Sequence, residues 1–145
     1  VCEAFRDRLA GRGIVLELDL PHAVTVSADP QRLRQLLHNL LENCVGYVDP
    51  GGRVRVGLEF RAGRATGGAN LAELVVEDSG PGVGDDQLER LFERFYRVEE
   101  GRSRAGGGSG LGLSICHSIA EAHGGRMWAA RSSLGGLAVH LELPA

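Results

Sequence analysis

The run from Asp29 to Tyr47 constrains this chain more than any other stretch. Asp29-Pro30 supplies an N-cap and then a proline whose fixed φ suits the first helical turn. Leu33, Leu36, Leu37, Leu40, Leu41 and Cys44 recur at intervals of three and four, which lines one face of an α-helix. Asp49-Pro50-Gly51-Gly52 breaks the pattern after about five turns. A helix with one apolar stripe must bury it, and the flanking segments supply a sheet to bury it against.

Residues 3–10 read as a helix stopped by Gly11 and Gly13, and residues 14–20 as a strand ended by Pro21. Val24-Thr25-Val26 reads as a second short strand. Strands are expected around 53–60 and 71–77, joined by a glycine-rich hairpin loop at 62–70. A short helix over 85–94, capped by Asp85 or Asp86, precedes a polar, glycine-rich stretch at 97–110. Leu111–His123 reads as a helix stopped by Gly124-Gly125. Two strands, about 126–131 and 137–143, meet near Gly135-Gly136. This order predicts an α/β (α+β) two-layer sandwich: a mixed, mostly antiparallel sheet with helices on one face.

With 145 residues, 43% of them hydrophobic, the chain suits one domain with one core. A formal net charge of -3 argues against a nucleic-acid backbone as partner. No apolar run approaches the ~20 residues that span a bilayer. The three cysteines are odd in number and far apart, so neither a disulfide framework nor a zinc site is suggested. Cys44 and Cys116 fall in helical patterns and read as core residues, in keeping with a reducing compartment.

Asn39 and Asn43 stand four apart, so both carboxamides project from one side of the long helix. They are either surface amides or a polar row whose carbonyl oxygens face a hard cation such as Mg²⁺. Asp78-Ser79-Gly80-Pro81-Gly82 follows directly on a strand. It is either a plain turn or an acceptor for an exocyclic amine beside glycines that admit a flat ring. The run from Gly106 to Leu113 leads glycines straight into a helix, as a flexible linker or as a phosphate cradle of free amides. It lacks the Lys-Ser or Lys-Thr of a Walker A loop. Phe92, Phe95 and Tyr96 suggest a hinge anchor beside that loop. Arg97, Arg102 and Arg104 are either solvated or placed to neutralise phosphate.

The order Asn39-x-x-x-Asn43, Asp78-x-Gly80-x-Gly82, Phe92-x-x-Phe95 and Gly108-x-Gly110-x-Gly112 resembles the N, G1, F and G2 boxes of sensor histidine kinases. These belong to the Bergerat-fold ATPases. Within the kinases the chain is most similar to the BaeS-type envelope-stress sensors. The resemblance implies ATP and Mg²⁺ as ligands. It gives Asn43 the metal, with Asn39 beside it at the phosphates and Tyr47 at the border of the adenine. It puts Asp78 on adenine N6 and has Gly80 and Gly82 make room for the ring. Phe95 and Leu113 join the nucleotide site. The amides around Gly108, Gly110, Leu111 and Gly112 hold phosphates, residues 84–109 form an ATP lid, and Arg97 contacts phosphate. With Asn39 and Asn43, Arg97 completes the implied catalytic set.

The same resemblance implies a γ-phosphoryl transfer to a histidine. None of the five histidines here is followed by an acidic residue, as the acceptor box requires. The acceptor is therefore expected on a dimerisation hairpin outside this chain. Residues 1–11 would end the connection to it, and 12–145 would be the catalytic domain. The expected setting is the cytoplasmic side of an inner-membrane sensor. That sensor would be homodimeric and relay to a response regulator, while this fragment is expected to be monomeric, without membrane contact. Where the kinases carry a basic residue, Gly46 stands, and Val48 replaces a common threonine. Gly46 suggests weaker nucleotide binding, which Gly46→Arg is expected to tighten. Other readings are an ATP-hydrolysing clamp, an anti-sigma serine kinase and a nucleotide-sensing module. The first needs a glutamate base where Asn39 stands, and an amide takes no proton from water.

Overall fold

The computed structural model describes residues 1–63, 68, 70–94, 96 and 112–145. In chain order it contains α1 (Cys2–Ala10), β1 (Val15–Asp19), α2 (Pro30–Tyr47), β2 (Arg53–Arg61) and β3 (Leu71–Asp78). Then follow α3 (Asp85–Leu88), α4 (Gly112–Ala122), β4 (Arg126–Arg131) and β5 (Leu137–Pro144). The strands lie in the order β1-β2-β3-β5-β4. β1 runs parallel to β2, joined to it through α2, and every other neighbouring pair is antiparallel. The sandwich expected from the sequence is the one found.

α2 forms where its cap and its period agree. Asp29 Oδ1 accepts the backbone N–H groups of Gln31 at 2.9 Å and Arg32 at 3.4 Å, a cap worth ~1 kcal/mol. Its own N–H donates to Nε2 of His123 at 3.1 Å, while Nδ1 of that ring donates to the Ile119 carbonyl at 2.7 Å. The end of α4 is thereby fixed to the start of α2. Between them Leu36, Leu40, Cys116 and Ile119 are buried, and the Cys116 thiol donates to the Leu36 carbonyl at 3.4 Å.

Strand periodicity sends Val54, Val56, Val76, Val139, Leu141 and Met127 to the helix side, where they close one core with Phe5, Leu9, Leu41 and Cys44. Leu41 is fully buried there; Leu41→Ala costs about 2–5 kcal/mol. The opposite sheet face is polar. On it Arg61 pairs with Glu73 at 2.7 Å, Glu73 with His140 at 3.2 Å, and the His140 ring stacks on Trp128 at 5.0 Å. Among the described residues, no helix is long and apolar enough to cross a membrane.

Two local expectations are corrected. Val24-Thr25-Val26 is irregular: Val26 packs on the core, but the segment joins no strand ladder. The helix expected over 85–94 shrinks to α3 and a series of turns, with Gly84 as its N-cap rather than Asp85 or Asp86. Asp85 instead pairs with Arg131 at 2.9 Å. Part of the 62–70 loop and all of the 97–110 stretch lie outside the described residues.

Candidate nucleotide site

β3 is a central strand, and its last residue, Asp78, is 8% exposed. The carboxylate Oδ1 accepts the N–H of Gly80 at 2.9 Å and of Leu137 at 3.2 Å. Among the described residues both bonds go to that oxygen, which leaves Oδ2 as an acceptor for a ligand. Burial pushes the Asp78 pKa up to about 6, against the two N–H donors, which pull it down. The wall behind Oδ1 is backbone. A Cβ on Gly136 would overlap Asp78 Oδ1 and the backbone of Gly80. Gly80 itself has φ +107°, a conformation that favours glycine.

Asp78 opens into a cavity of about 200 Å³. Asn39, Asn43 and Tyr47 from α2 line the same cavity, as do Gly112 and Leu113 at the start of α4. The polarity of the cleft follows from its neighbours. Asn39 is close enough to the Cys116 thiol, one turn into α4, to pull its pKa down against burial, so it lies beside that helix. Cys44, one residue past Asn43, is close enough to Asp78 that the carboxylate, after burial itself, raises its thiol pKa. A buried carboxylate from β3 and two carboxamides from α2 thus line one cleft. The positive end of the α4 dipole is also near the carboxamides, where an anion is favoured.

Gly80 and Gly82 lie beside the Gly135–Gly136 turn. A Cβ on either would meet the Gly135–Gly136 turn, and neither lines the cavity. Gly80, with its left-handed φ and a Cβ that would crowd the Gly82 nitrogen, helps to seat Asp78. Gly46 is buried on α2. Phe95, Arg97, Arg102, Arg104, Gly108, Gly110 and Leu111 lie outside the described residues. Of the lid expected at 84–109, residues 84–94 and 96 are described. Phe92 is half-buried against the core, with its ring 5.5 Å from His117.

Sequence reasoning missed several wall residues. Cys44, Pro81, Val83, Leu91 and Tyr96 line the cavity. Arg90 stands over the Tyr96 ring at 4.5 Å. Glu42 lines it too, although helix geometry aims position 42 away from Asn43. Its Oε1 accepts Arg8 Nη2 at 2.7 Å, and this hydrogen bond holds the Glu42 carboxyl below the usual range.

A strand-end acid and a helix N-terminus sharing one cleft in a two-layer sandwich define an ATP-binding domain. The chain belongs to the family of histidine kinase-, DNA gyrase B- and HSP90-like ATPases, whose match spans residues 28–145. It is 52% identical over 141 residues to the signal transduction histidine-protein kinase BaeS of Escherichia coli (strain K12), covering 97% of this chain and 29% of BaeS. The structure of the mycobacterial sensor histidine kinase MprB matches with a TM-score of 0.82 and 31% identity, over 98% of this chain and 91% of that one. Full-length ShkA, solved in complex with AMPPNP, matches with a TM-score of 0.79 and 30% identity, over 99% of this chain and 28% of that one. The chain therefore spans under a third of BaeS and of ShkA.

Proposed function

We propose that this chain is the ATP-binding catalytic unit of a sensor histidine kinase. It presents the γ-phosphoryl of ATP to a histidine carried outside the chain, for relay to a response regulator. The observation that supports this most is the single cavity shared by Asp78 and Asn43, residues from separate elements. The complex of ShkA with AMPPNP supports the same nucleotide class.

Asp78 Oδ2 accepts the adenine N6 amine, and Tyr47 borders the ring. Asn39 and the first turn of α4, with Gly112 and Leu113, face the phosphates. Arg97 and the amides of Gly108, Gly110 and Leu111 belong to the same phosphate end, with Phe95 in the lid. The donor set fits Mg²⁺, since carboxamide oxygens are hard ligands and the ion keeps waters and phosphates as the rest of its shell; Asn43 would hold it. Bound there, the ion supplies neutralisation of phosphate charge. The rest is positioning: the protein fixes the nucleotide in a dry cleft and leaves its terminal phosphate towards the incoming imidazole. ATP hydrolysis is disfavoured because Asn39 cannot accept a proton and the nearby Glu42 is tied to Arg8. The acceptor would sit on a dimerisation hairpin of a homodimeric membrane sensor, with this domain on the cytoplasmic side.

The test is transfer of label from γ-labelled ATP and Mg²⁺ to a separately supplied hairpin carrying the acceptor histidine. Acid-labile phosphohistidine on the hairpin is expected. Nucleotide binding without transfer would instead mark a nucleotide-sensing module.

A further inference from the structure

α1 grips the residues immediately before each asparagine of the cavity. The Phe5 ring meets His38, the neighbour of Asn39, edge to face at 5.1 Å. Arg8 meets Glu42, the neighbour of Asn43, at 2.7 Å, with its guanidinium 4.8 Å over the Phe5 ring. Among the described residues lining the cavity, Glu42 is the one acid besides Asp78, and it directly precedes Asn43. Its Oε2 is buried with no hydrogen-bond partner among those residues, so Arg8 is the group that fixes where the carboxylate lies.

An anion on this wall opposes binding of another anion. We propose that Arg8 is a positioning residue for the phosphate end. It neutralises Glu42 and holds the carboxylate against α1, so that phosphates reach the carboxamides of Asn39 and Asn43 without a facing negative charge. This rests on the nucleotide reading of the cavity. The pair is about half exposed, at 47% and 38%, so solvent screens its effect.

The test is calorimetric titration of ATP, ADP and adenosine, each with Mg²⁺ at low salt, into the unaltered chain, Arg8→Ala, Glu42→Gln and the double variant. Arg8→Ala is expected to weaken ATP about fivefold, ADP less, and adenosine not at all. The double variant is expected to return to the unaltered affinity, because the facing anion is gone. A packing role for Arg8 would give the reverse pattern. Adenosine weakened as much as ATP, or a double variant as weak as Arg8→Ala, overturns the proposal. So does Arg8→Ala binding ATP like the unaltered chain, which leaves the nucleotide reading standing. An unaltered chain that binds neither ATP nor adenosine overturns both together.

Discussion

Asp78 and Asn43 line one cavity, yet the walls behind them are made differently. Asp78 is held by the main chain. Its Oδ1 takes two backbone N–H groups, one from Leu137, 59 residues away, and the Gly136 turn presses so close that no Cβ fits. Asn39 and Asn43 stand on a helix face, backed by side chains: Cys116 behind Asn39, and the Arg8–Glu42 pair beside Asn43. The backbone end is costly in the empty protein, because it buries a carboxylate whose pKa has risen to about 6. Asn39 and Asn43 are uncharged and carry no such penalty, and the Glu42 charge beside them is met by Arg8. One end should therefore trade stability for recognition, and the other should tune affinity alone.

Asp78→Asn probes this contrast most strongly. Its amide would present a donor to the adenine amine, leaving a buried polar group unpaired, so ATP affinity should fall roughly 10- to 100-fold. At pH 7 the empty variant should melt higher, gaining at most about 3 kcal/mol from removal of the buried charge. The sign follows from the raised pKa. The folded state binds the Asp78 proton more tightly than the unfolded state does. This residue's contribution therefore becomes less favourable as pH rises from about 4, the unfolded value, through about 6. Paired melting curves at pH 4 and pH 7 should show the gain only at the higher pH.

Gly136→Ala should come next, costing about 1–3 kcal/mol through overpacking, and losing nucleotide with the fold. Thermal melts check it, and a variant as stable as the parent would show that the turn can yield. Nucleotide affinity should weaken about tenfold from pH 7 to pH 5 as the Asp78 acceptor is protonated; Asp78→Asn should lack that dependence. Asn43→Ala should show the smallest effect, roughly five- to tenfold, and only when Mg²⁺ is present. Titrations with Mg²⁺ and with EDTA separate the two cases. An equal loss in both would mean that Asn43 shapes the cavity rather than holding the ion.

Local signals made much of this legible in the sequence. α2 was readable because Asp29-Pro30 and the leucine period state the same helix twice, and the spacing of Asn39 and Asn43 then put both on one side. Asp78 was readable as the last residue of an apolar strand. What was not legible depended on distant partners. Nothing near Gly136 announces that it seats Asp78, and nothing in Gly80 or Gly82 shows that they pack on a turn more than fifty residues on. Val24-Thr25-Val26 has strand propensity but no neighbouring strand to pair with. Glu42 was not legible because its helical angle turns it away from Asn43, and only the folded structure shows its side chain on the cavity wall.

The most direct test is a crystal structure of this chain with AMPPNP and Mg²⁺. The adenine amine should lie within hydrogen-bond reach of Asp78 Oδ2, with the metal on Asn43 and the phosphates before the first turn of α4. A nucleotide seated elsewhere, or one whose base turns away from Asp78, would contradict the account.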